Sequence, residues 1–171
     1  MRIASVTSSE RGQVDKVLAS VAAMLMAEGV RVAGVVQTNI DRPGRTHCDM
    51  DVMVLPHGPV IRINQELGES ARGCRLDPGA LETAVANVEA GFSDDTDILI
   101  INKFGKHEGE GRGFRNLIAE ALSRGIPVLS GVNTLNRDAF EAFAEGLAQP
   151  LAAEPAAILA WCRDTILTPT V

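Results

Sequence analysis

Residues 102–115 bring Asn102, Lys103, Lys106, Glu108, Glu110, Arg112 and Arg115 together, interleaved with Gly105, Gly109, Gly111 and Gly113. They follow the apolar run Asp97-Ile-Leu-Ile-Ile101. In an open parallel sheet, an apolar strand that stops abruptly in polar residues delivers those side chains to a crevice at the carboxyl edge. Lysine and arginine there offer charge-assisted donors to an anion, and glycines offer backbone N–H groups without obstruction. Asn102 keeps hydrogen-bonding capacity without charge. Glu108 and Glu110 read either as an acid–base or cation-binding pair or as solvated surface. A tetrahedral oxyanion, a nucleotide phosphate without metal, or an acidic partner surface suits this set.

A second locus is the loop Ser8-Ser9-Glu10-Arg11-Gly12-Gln13, between an apolar strand and a helix. Backbone N–H groups and the helix dipole converge at such a turn. A phosphate loop needs glycines for close approach and a Gly-Lys-Ser/Thr ending for charge and metal. Here Gly12 is alone, and Lys16 lies beyond Asp15, whose charge opposes phosphate. The loop reads as an ordinary strand-to-helix turn or as a phosphate site using Ser8, Ser9, Gly12, Gln13 and Lys16.

The cysteines are Cys48, Cys74 and Cys162, and with His47, Asp49 and His57 they match no zinc spacing, so no metal is expected. Cys48 reads as a small buried hydrophobe and Cys162 as core. Cys74 lies between Gly73 and Arg75, and arginine neighbours would make its thiol reactive if exposed. Arg72 and Arg75 either face the same crevice as anion donors or are solvated.

These residues need strands and helices to position them. Ile3 to Val6 reads as a strand, and Val14, Val17, Leu18, Val21, Leu25 and Met26 recur at helical spacing before Gly29. Val30 to Val36 is a strand covered on both faces. Residues 46–64 read as an antiparallel pair. Asp77-Pro78 starts a helix that stops near Gly91. A strand over Ile98–Ile101 follows, then a helix from Phe114 closed by Gly125, a strand over 126–132, and final helices over 136–147 and 155–167. Strands alternating with helices predict a three-layer α/β domain with a mostly parallel sheet.

At 171 residues, one domain over 1–171 is expected. A net charge of −6, one Trp and no Tyr argue against a general nucleic-acid binder. No apolar run is long enough to predict a membrane span. An odd cysteine count without regular spacing and the absence of a leader-like start predict a cytoplasmic protein.

The element order, with Glu28-Gly-Val-Arg-Val-Ala-Gly34, Leu76-Asp77 and Asp97-Ile-Leu-Ile-Ile-Asn-Lys-Phe-Gly105, resembles the small P-loop nucleoside triphosphatases first described from thermophiles. The likeness covers roughly residues 1–145. Gly-Cys-Arg-Leu-Asp-Pro at 73–78 and Asn-Lys-Phe-Gly-Lys-His-Glu at 102–108 are similar to an uncharacterised bacterial relative of those enzymes, often encoded beside molybdate-transport genes. The resemblance implies a P-loop-like fold with the hairpin at 46–64 as an insertion. It also implies that position 102 should be an Asp supporting Mg²⁺ and position 103 a Glu preparing the attacking water, where this chain has Asn102 and Lys103. The phosphate-binding Lys falls at Val14 and the Mg²⁺-binding Thr at Asp15. Loss of those groups removes most of what stabilises phosphoryl transfer, and leaves Mg²⁺ short of ligands.

Three readings follow. The first is a degenerate P-loop protein that binds a nucleotide or oxyanion in a regulatory or accessory role, linked to molybdate uptake by resemblance. The ligand would be held by the loop residues together with Asn102, Lys103, Gly105, Lys106, Arg112, Arg72 and Arg75. The second is an active nucleoside triphosphatase or phosphotransferase with Glu108, Lys103 and Lys16 in a rearranged site. The third is a scaffold for a protein partner; apolar residues on the late helices also leave room for a homodimer.

Overall fold

A computed structural model describes residues 1–41, 43–44, 48–65 and 76–167. Its strands are β1 (Ile3–Val6), β2 (Val32–Ile40), β3 (Asp49–Leu55), β4 (Val60–Arg62), β5 (Ile98–Phe104), β6 (Val128–Val132) and β7 (Gln149–Leu151). They form one sheet in the order β4-β3-β2-β5-β6-β1-β7. From β2 to β7 the pairing is parallel, and β3 and β4 add an antiparallel edge. The predicted mostly parallel α/β sheet with a hairpin around 46–64 is therefore the observed one.

The helices are α1 (Gln13–Ala27), α2 (Pro78–Gly91), α3 (Lys106–Gly109), α4 (Arg115–Ser123), α5 (Arg137–Phe143) and α6 (Pro155–Leu167). Each strand feeds two cores because successive side chains point to opposite faces. Ile98 and Ile100 of β5 pack with Leu18, Val21 and Leu25 of α1 and Ile158 of α6. Leu99 and Ile101 pack with Ala84 and Val88 of α2, Leu117 of α4 and Phe140 of α5. These layers are why β2, β5 and β6 read as continuous apolar runs rather than alternating ones.

Local signals set several boundaries. The Asp77 carboxylate accepts from Gly79 N (2.9 Å) and Ala80 N (3.1 Å), capping α2 behind Pro78. Gly29, at φ +83°, ends α1 in the left-handed conformation, and Val30 N donates back to Leu25 O. Cys162 is fully buried on α6. Burial pushes its thiol up to about 12, so it fills space and is no nucleophile at neutral pH.

Three differences from the sequence reading have physical causes. β7 was not predicted: Pro150 argues against a strand, but β7 is an edge paired only with β1. Residues 106–109 form a turn of helix where glycines suggest open loop. The helix predicted over 136–147 is shorter, with a 3₁₀ turn at Thr134–Asn136 leading into α5. Among the described residues no helix is long and apolar enough to cross a membrane.

Candidate functional site

The carboxyl ends of β1, β5 and β6 face the amino terminus of α1, and the crevice between them is built around an irregularity in β5. Ile101 pairs with Ser130 and Phe104 with Val132, so β5 spends one more residue than β6 over the same interval. This bulge lets Phe104 join Leu99 and Ile101 in the α2-side core. Asn102 stays on the α1 side, 2% exposed, while Lys103 protrudes into solvent. Gly131 on β6 makes room: a Cβ there would lie 2.2 Å from Asn102 O and 2.8 Å from Val14 Cγ1.

Gly12 leads into α1 at φ +76°, a conformation that side chains resist. In the first turn of α1 stands Asp15, the residue that sequence reasoning treated only as an obstacle to phosphate. Its Oδ1 accepts from Asn102 Nδ2 and its Oδ2 from Asn39 Nδ2, both at 2.7 Å. Asn102 Oδ1 accepts from Gln37 N (2.9 Å), and Gln37 Nε2 donates to Asn39 Oδ1 (2.8 Å). A closed carboxylate–amide network thus ties α1 to β2 and β5, with the carboxylate at the positive end of the helix dipole. Every buried side-chain nitrogen and oxygen among the described residues has a partner. The resemblance places a hydroxyl on the helix and an acid on the strand; here the acid is on the helix and an amide on the strand.

The crevice over this network, of about 210 Å³, is lined by Ser8, Glu10, Arg11, Gly12, Lys103 and Asn133 among others. Arg11 also lines the adjoining cleft with Lys16, Asn39 and Cys48, so it is a cation shared by both. Of the loop residues expected to hold a ligand, Ser8 and Gly12 line the crevice. Ser9 is exposed and outside the crevice lining, Lys16 belongs to the adjoining cleft, and Gln13 is tied to Ser8 Oγ and Ala153 O.

The segment after β5 is organised for itself. Glu108 is 3% exposed; its Oε2 accepts from Gly105 N (2.9 Å) and its Oε1 from Phe114 N (3.1 Å). It reaches back to the start of its own helical turn, as the acid of a capping box does. The glycine amides expected to be free are all committed. Gly105 N donates to Glu108, Gly109 N to Gly105 O (3.0 Å), Gly111 N to Glu108 O (3.2 Å) and Gly113 N to Glu82 Oε1 (3.0 Å). Arg112 bonds Glu110, and Lys106 Nζ lies 3.7 Å from the same carboxylate. The Arg112 hydrogen bond is the main reason the Glu110 carboxyl lies below its ordinary value. Arg115 donates to Glu108 O (3.2 Å) and stacks 4.7 Å over the Phe143 ring. Lys103 alone among this segment's lysines and arginines has no ion pair or hydrogen bond among the described residues. Arg72, Arg75, Cys74 and His47 lie outside the described residues, and among those described no group of three or more His, Cys, Asp or Glu is placed to hold a metal.

Asp15, Arg11, Asn39 and Asn133 were missed by sequence reasoning. The available signal was the reciprocal exchange at positions 15 and 102, legible only as a pair.

Comparison with known proteins agrees with this architecture. A human cancer-related nucleoside triphosphatase, solved in solution, superposes with a TM-score of 0.58 at 16% identity, over 97% of this chain and 96% of that one. At that identity the likeness speaks for the fold. The molybdenum import ATP-binding protein ModC 2 of Bradyrhizobium diazoefficiens is 37% identical over 164 residues, 96% of this chain. The chain spans only 18% of that relative's length. A family model described as "Protein of unknown function (DUF2478)" matches residues 3–161. This chain therefore belongs to the DUF2478 family.

Proposed function

We propose that this protein is a P-loop-derived binding module that takes a nucleotide or an oxyanion without hydrolysing it, in a regulatory or accessory role. The Asp15–Asn102–Asn39 network carries this reading. A carboxylate held by two amides occupies the crevice where a hydrolase concentrates positive charge and metal. It stands where a hydrolase needs its metal and lysine for phosphoryl transfer, and β5 ends in Asn102-Lys103-Phe104, with no carboxylate to prepare water. Arg11 and Lys103 supply the remaining attraction for an anion, with Ser8 and Asn133 as hydrogen-bonding groups. Glu108 holds the loop after β5 by its two backbone bonds and is not a catalytic acid or base. The similarity to part of a molybdenum import ATP-binding protein supports a role beside such transport machinery, with molybdate among the oxyanions to try. The single domain and cytoplasmic location expected from the sequence belong to the same proposal.

Thermal melts test the reading, with ATP and GTP, each with and without Mg²⁺, beside molybdate and sulfate. Ligand at a hundredfold over its dissociation constant stabilises by about 2.7 kcal/mol. The expected result is a shift that does not require Mg²⁺, with no phosphate release. Mg²⁺-dependent turnover would overturn it in favour of an active triphosphatase. Turnover abolished by Lys103→Glu at unchanged stability would place that lysine in the reaction. No shift with any ligand would leave the protein-partner scaffold.

A further inference from the structure

On the other side of β5 from Asp15, a second cleft of about 380 Å³ opens on the α2 face of the sheet. Val52, Ile63, Leu81 and Phe114 form its body, and Lys103, His107 and Asn133 lie among its polar lining. The four apolar residues are each 7% exposed or less. That volume, and an apolar body beside polar groups, are those of small-molecule sites.

The charges around the cleft select the sign of a ligand. Lys106 is paired with Glu110, and Arg115 is engaged by Phe143 and Glu108 O. Glu108 in the wall has both carboxylate oxygens turned to Gly105 and Phe114 N–H groups. Lys103, protruding at the bulge, is the lining cation whose charge is not already met by a partner among the described residues. From this we infer a binding site for a small organic anion, with an apolar ring or chain against Val52, Ile63, Leu81 and Phe114 and a carboxylate or sulfonate on Lys103 Nζ. The inference goes beyond the crevice reading but shares Lys103, Asn102 and Asn133 with it; Leu76 lines this cleft and not the crevice, so a substitution there tells the two apart.

The probe is 8-anilinonaphthalene-1-sulfonate, titrated into the whole chain by fluorescence. Its uncharged relative N-phenyl-1-naphthylamine serves as the second arm. Saturable binding of one sulfonate probe per chain is expected, weakened about two- to fivefold by Lys103→Glu, the range an exposed ion pair spans. The uncharged probe should be indifferent to that change. Leu76→Trp, which puts bulk into the cleft from its half-buried edge, should weaken both probes. Far-ultraviolet circular dichroism and melting confirm that each variant is folded. Absence of saturable binding, or equal loss of both probes in Lys103→Glu, would overturn the inference. So would sulfonate binding unchanged in both folded variants.

Discussion

The two sides of Asn102 differ in how they treat charge. On the α1 side a carboxylate is held inside a complete set of hydrogen bonds, and the cations Arg11 and Lys103 line the crevice around it. On the α2 side the cleft has an apolar body of Val52, Ile63, Leu81 and Phe114, and Lys103 in its lining has no ion pair among the described residues. At the amino end of α1, both Asp15 oxygens are met by side-chain amide donors from β2 and β5. The lesson is that one face of a strand can hold a charge by surrounding it with hydrogen-bond partners while the other leaves a charge in solvent.

The largest expected effect comes from crowding the α1 side. Gly131→Ala drives a Cβ against the Asn102 carbonyl and Val14, and backbone cannot yield as a side-chain tip can. Overpacking typically costs about 1–3 kcal/mol, and a clash with backbone puts this case at the upper end, about 3 kcal/mol, a fall in melting midpoint of roughly 6–12 °C for a chain of this size. A smaller drop would mean the network is looser than its hydrogen bonds indicate.

Removing the amide comes next. Asn102→Ala strands the buried Gln37 N–H and one Asp15 oxygen, at a cost of about 2–3 kcal/mol. A double-mutant cycle with Asp15→Ala should show coupling of about 1 kcal/mol or more. Additive losses would break the picture of one linked network.

Glu108→Gln should lower stability by about 1–3 kcal/mol, because an amide nitrogen replaces one of two backbone acceptors. A variant as stable as the parent would reopen Glu108 to a chemical role.

The smallest effect lies far from both sides and calibrates them. Asp97 is held below its ordinary value, chiefly by its hydrogen bond to Arg31. A carboxyl with a depressed folded pKa contributes stability that is present above its unfolded value near pH 4. That contribution is lost as pH falls through the folded value. Arg31→Met should therefore flatten a small part of the acid limb of stability against pH and leave neutral anion binding unchanged. Altered binding would mean that distant surface charge, and not Asp15, governs the crevice.

Much of the fold was legible because its signals are local. Asp77-Pro78, Gly29 and Gly125 mark helix ends through chemistry within a few residues, and the apolar runs of β2, β5 and β6 follow from burial on both faces. β7 was not legible, because an edge strand containing Pro150 exists only by virtue of β1 beside it. The site was half legible. Composition pointed to the end of β5, where the structure forms a crevice around Asn102 with Lys103 beside it. Asp15 looked like an obstacle because its partners, Asn39 and Asn102, are distant in sequence. Glu108 looked available because a carboxylate's backbone partners leave no trace in residue types. The glycine amides misled for the same reason.

The most direct test of the central claim is calorimetric titration of molybdate and inorganic phosphate into the folded parent and into Asp15→Asn. If the carboxylate serves as the crevice's resident anion, the substitution should tighten oxyanion binding about tenfold, equivalent to about 1.4 kcal/mol. Unchanged or weaker binding in a folded Asp15→Asn protein would contradict it.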